Sequence, residues 1–197
     1  MPIVMHFSTF MKLLTLDIGG KIRQLERYAK PGGFDFYRAS REGVYNYCAH
    51  GRDRSRVVSD VGHNSSSNSR DRNLEIFGKV ADWLDKQRIS TAVAPGRGVW
   101  PSPNKLFSVQ IEPEIGFEKN SQHRIMSVYP SREPRISRDQ AGAGILLLQQ
   151  AYRGSGMERF GILDALAQRA FWTPTNVSPA ILESEIDTIE RELRRIF

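Results

Sequence analysis

Leu106-Phe107-Ser108-Val109-Gln110-Ile111-Glu112-Pro113-Glu114-Ile115-Gly116-Phe117-Glu118-Lys119 is the stretch whose reading decides the fold. Phe107, Val109 and Ile111 alternate with polar residues, and a period of two puts all three on one face of a strand. Downstream, residues 117–123 read as a polar turn, and residues 124–129 alternate again around Ile125 and Val128. The two alternating runs, 106–111 and 124–129, therefore read as an antiparallel pair. Upstream, residues 89–94 make another short strand, followed by the loop 95–103, whose glycines and prolines punctuate strongly.

Helical signals flank this strand region. Residues 9–28 offer Leu13, Leu16, Ile22 and Leu25 among charged residues, with Gly19-Gly20 expected to bend or split the helix. Residues 34–50 fit a helix by spacing and a strand by aromatic content, and both readings stay open. Asn68 or Ser69 can cap a helix whose stripe is Phe77, Val80, Ala81 and Leu84. Ser137-Arg138-Asp139-Gln140 matches a capping box and starts a helix running to about residue 152, apolar nearly all round at 141–148. Residues 160–172 again fit either state. At the end, Ser178 can cap, Pro179 suits the first helical position, and Leu182, Ile186, Ile189, Leu193 and Ile196 form one seam. Acidic residues gather towards the start of that helix and arginines towards its end, which complements the helix dipole.

The expected fold is α+β: a helix-rich N-terminal half, then a small, mainly antiparallel sheet packed by helices and a C-terminal amphipathic helix. Residues 1–63 form a basic, mainly helical region, 64–69 a flexible Ser/Asn-rich loop, and 70–197 an α+β core, expected together as one compact domain.

Bulk composition narrows the function classes. With 40% apolar and 25% charged residues in 197, the chain reads as an ordinary globular protein. Its one cysteine, Cys48, excludes an intramolecular disulfide and zinc sites built on paired thiolates, which suits a reducing, cytoplasmic setting. The first 16 residues lack a basic n-region and a small-residue cleavage site, so they read as folded structure. No apolar run approaches the roughly 18 residues of a membrane span, so no membrane association is expected. The net charge is +6, and 21 of the 28 basic residues are arginine. The first 105 residues carry +7 and the rest −1, so any attraction for a polyanion belongs to the front half.

Two short resemblances concern chemistry. Leu13-Leu14-Thr15-Leu16-Asp17-Ile18-Gly19-Gly20 resembles the first phosphate-loop strand of sugar-kinase and actin-like ATPases, with Lys21 where those families usually carry Thr. The order of helix, three short strands, helix and a possible fourth strand around Glu112 to Lys119 resembles the core of restriction-endonuclease-like nucleases. That resemblance implies strand-end carboxylates, Glu112 and Glu114, holding a divalent metal that activates water. Residues 124–129 lack the acid-x-lysine half of that signature.

Arginine in the front half favours bidentate phosphate contact. Arg52, Arg54 and Arg56 form one group, and Arg97 sits in a Gly-rich loop beside Trp100, a stacking surface for a base. The favoured expectation is a binding protein whose partner is nucleic acid or another polyanion, contacted by Arg52, Arg54, Arg56, Arg97 and Trp100. One alternative is a metal-dependent phosphodiesterase using Glu112 and Glu114, the only reading that needs a cofactor. Another is an interaction subunit that docks the seam of its C-terminal helix on a protein partner.

Overall fold

The computed structural model describes residues 3–28, 35–51, 53–87, 91–152 and 158–197. Among them are β1 (Ile3–His6), α1 (Phe7–Thr15), α2 (Ile18–Tyr28), α3 (Arg38–His50), α4 (Arg54–Asn64), α5 (Arg70–Gln87), β2 (Thr91–Ala92), β3 (Gly98–Pro101), β4 (Phe107–Ile111), β5 (Ile115–Lys119), β6 (Gln122–Tyr129), α6 (Arg138–Ala151), β7 (Glu158–Asp164), β8 (Arg169–Phe171) and α7 (Ser178–Ile196). The class is α+β, with helices dominating the front half and closing the chain.

The strands make two sheets, one of order β1-β4-β3 and one of order β2-β5-β6-β7-β8. β1 runs parallel to β4, and β7 parallel to β6 through the α6 crossover; the other pairings are antiparallel. This corrects the expected pairing of residues 106–111 with 124–129. β4 lies between β1 and β3, whereas β6 pairs with β5 through a two-residue turn at Asn120-Ser121. Most of the expected polar turn is thus strand, and part of the expected loop 95–103 is β3.

Both faces of the larger sheet are covered. Ile125 and Tyr129 of β6 and Phe160 and Ile162 of β7 join a core with α1, α6, α7 and the smaller sheet. Met126, Val128 and Leu163, on the alternate face, join a second core with α3, α4 and α5. Ile125 and Val128, three residues apart, point to opposite faces. Burial on both sides replaces alternation by a nearly continuous apolar run, the pattern of a strand between two layers.

Local signals explain three of the helix starts. Asp17 accepts the Gly20 N–H at 2.6 Å and starts α2, so the segment resembling an ATPase phosphate loop is a helix–turn–helix corner with no strand in it. Asp53 caps α4 by accepting the Ser55 and Arg56 N–H groups. The Ser137/Gln140 capping box is formed. Ser178 lies inside α7, which is preceded by Val177; its hydroxyl instead donates to the Asp139 carbonyl. The open segments resolve as α3, whose start lies four residues after Phe34, itself outside the described residues, and as strands β7 and β8. The loop expected to be flexible is short and hydrogen-bonded: Asn64 ends α4, Ser65 and Ser69 are buried, and Ser65 Oγ donates to the Val61 carbonyl.

Candidate functional site

Where the two sheets meet the front helices, a polar cleft of about 990 Å³ opens. β1 contributes His6 and β4 contributes Gln110. The link from β4 to β5 contributes Glu112, Pro113 and Glu114, and α3 supplies Arg38, Arg41, Glu42 and Tyr45. Arg97 stands on the loop before β3.

Arg41 organises the floor. Its Nε donates to Glu114 at 2.6 Å and its Nη1 to Asp35 at 2.9 Å. The second Glu114 oxygen accepts the Val128 N–H at 2.9 Å. The last residue pair of the β5–β6 ladder is Ile115 with Met126, so the carboxylate extends that ladder by one acceptor. Burial pushes the Glu114 carboxyl up from its ordinary value, opposed by Arg41 and the Val128 N–H. For Arg41 burial acts downwards, but Glu114 and Asp35 outweigh it and hold the guanidinium charged.

Glu112 is half-buried, accepts from Gln110 Nε2 at 2.9 Å and lies 3.3 Å from Arg97 Nε. Glu112 and Glu114 thus share one cleft, as the nuclease reading requires. The cation between Glu114 and Asp35, however, is the guanidinium of Arg41. Among the described residues no group of three or more His, Cys, Asp or Glu side chains is arranged to hold a metal ion. His6 lies beside Gln110 in register, with a buried Nδ1 that has no hydrogen-bond partner among the described residues. Cys48 is buried with its thiol donating to the Gly116 carbonyl, and burial raises its pKa, the opposite of what an activated nucleophile needs.

The sequence-selected arginines fall in separate places. Arg54, on the first residue of α4, pairs with Asp82 at 2.6 Å and Asp85 at 3.1 Å on α5. Arg56 is exposed, and Arg52 lies outside the described residues. Arg97 stands at the cleft mouth with its side chain 82% exposed. Trp100 is buried at 8% exposure, packs on Phe107 and donates its indole N–H to Gln150 at 2.9 Å. That places it in the core, without the open ring face that stacking on a base requires. The seam of α7 is likewise occupied: Leu182, Ile186, Ile189 and Leu193 are buried in the chain's own core.

Arg41 falls on the three- and four-residue spacing of Tyr37, Val44 and Cys48, which marks one helix face, whereas Asp35 carries no sequence signal. Only the contact between α3 and the β4–β5 link reveals their partnership with Glu114. No protein-family model matches this chain, and a search of curated proteins finds no match. Among the described residues no helix is long and apolar enough to cross a membrane.

Proposed function

We propose that this protein binds a polyanion, nucleic acid being the favoured ligand, through arginines of its front half. The observation that carries the reading is the charge division, +7 over residues 1–105 and −1 over the rest, with Arg54 paired to exposed carboxylates and the exposed Arg97 to a half-buried one. Exposed ion pairs contribute about 0–1 kcal/mol, so a phosphate can take the place of Asp82, Asp85 or Glu112. Along α4, at 1.5 Å per residue, Arg54 lies about 15 Å and Arg56 about 12 Å from Asn64 at the cleft. A ligand that touches both ends of this helix is longer than a single phosphate group, as a nucleic-acid strand is. Arg52 joins the set by sequence, whereas Trp100 does not contribute.

The test is a salt titration of binding to single- and double-stranded oligonucleotides. Affinity should fall steeply with salt, and a R54A/R56A/R97A variant should bind about 10-fold or more weakly with a shallower slope. A flat salt response, or no binding at low ionic strength, overturns the reading.

A further inference from the structure

Cross-strand register on the larger sheet places Arg124 of β6 between Phe117 of β5 and Arg159 of β7. Ladder partners share a face, so both guanidiniums stand on the side that carries Met126, Val128 and Leu163, beyond the apolar part of that core. The Lys119–Gln122 pair, two residues along the β5–β6 hairpin, adds a third cation to this face. Glu118, His123 and Glu158 form the intervening row, and alternation sends them to the other face. The sheet is thus charge-segregated at this end, cations on one side and carboxylates on the other.

Trp172 lies against the two arginines, with Arg124 Cζ 5.3 Å and Arg159 Cζ 5.6 Å from the ring centroid. Phe117 fixes the indole edge-on at 6.4 Å. Gly161, the next residue of β7 on this face, makes room: a Cβ there would sit 2.8 Å from the indole Cε3. Neither arginine forms an ion pair with a described residue, and Arg124 Nε is buried with no hydrogen-bond partner among the described residues. A ring face attracts the two positive charges but offers no acceptor for their N–H groups. Two like charges on neighbouring strands with donors unspent call for an anion with several oxygens. A phosphate has enough acceptors for two guanidinium forks, whereas one carboxylate matches a single fork.

We propose that Arg124, Arg159 and Trp172 form a phosphate-binding site with Lys119 at its edge. It shares no residue with the group Arg54, Arg56 and Arg97, and stands whether or not those residues bind a polyanion. The phosphate arrives either as a free phosphate or monoester, or as a diester within a single strand of nucleic acid.

The full chain is titrated with inorganic phosphate, and separately with a thymidine oligonucleotide, at constant ionic strength, while the Trp172 indole N–H resonance is followed. A saturable shift is expected with at least one of them, weakened 10-fold or more in Arg124→Gln and in Arg159→Gln, and kept within 3-fold in R54A/R56A/R97A. A response to phosphate identifies the free or monoester form; a response to the oligonucleotide alone identifies the diester. If Arg124→Gln does not fold, Arg159→Gln and Arg159→Lys decide the matter, the lysine retaining charge without the fork and binding at an intermediate level. No saturable shift with either ligand, or a shift undiminished in the folded arginine variants, overturns the site. Oligonucleotide binding that ignores Arg124 and Arg159 but fails in R54A/R56A/R97A overturns it while upholding the front-half reading.

Discussion

The cleft houses its most buried arginine among carboxylates, whereas the far end of the larger sheet houses two arginines against an indole. Arg41 is held by Asp35 and Glu114, and Glu114 is in turn held by a strand N–H. Arg124 and Arg159 both lie against Trp172 and have no ion pair among the described residues. A fixed carboxylate cancels the positive charge and locks two chain segments together. A ring leaves the charge and the donors available to a ligand. The same residue type therefore serves as a structural tie in one region and as a candidate contact in the other.

The largest effect is expected where charges were withdrawn from water in pairs. Glu114→Ala leaves Arg41 buried against Asp35 alone and should cost about 3–5 kcal/mol in urea denaturation, because a buried charge has lost its main partner. A loss below about 1 kcal/mol would show that the two arginine environments do not differ in this way. Arg124→Ala should cost less, about 0.5–2 kcal/mol, the range of a cation–ring contact, since no opposite charge is left behind. If it equals Glu114→Ala, Arg124 is a structural tie as well.

The exposed start of α4 extends the comparison to smaller effects. Asp53→Ala removes the cap and should lower the urea midpoint by less than Glu114→Ala does. The Asp53 carboxyl is held below its ordinary value by the Ser55 hydroxyl and the Arg56 N–H. A carboxylate lowered in the folded state stabilises fully above its unfolded pKa and loses that contribution as pH falls through the folded one. The stability difference between wild type and Asp53→Asn, which keeps a cap but does not titrate, should therefore shrink in strong acid; a difference constant with pH contradicts this. Smallest of all, Arg54→Ala should change stability by less than about 1 kcal/mol, and by less still in high salt, as half-exposed pairs do.

These contrasts also mark how far the chain could be read without its structure. The capping box at Ser137, the stripe of α5 and the seam of α7 were legible because their signals lie within a few residues of one another. α4 carries the same signature in fewer residues, Asp53 with Val57 and Val61. Strand partners at β4 and β6 are not legible, since alternation identifies a strand but names no neighbour, and a strand covered on both faces loses alternation altogether. Glu114 was legible as a carboxylate at a strand end, but not as the partner of an arginine 73 residues earlier.

The sequence by itself determined the α+β class, the positions of the long helices, and the confinement of excess positive charge to residues 1–105, all properties of composition and local periodicity. Tertiary structure alone decided what each charge does. Packing of α3 against the β4–β5 link joined Arg41 to Glu114. Register across β5, β6 and β7 brought Arg124 and Arg159 to the sheet face against which Trp172 lies and sent Glu118 and Glu158 to the other. Charge along a chain adds up locally, but pairing depends on distance in space, and distance is set only when the elements pack.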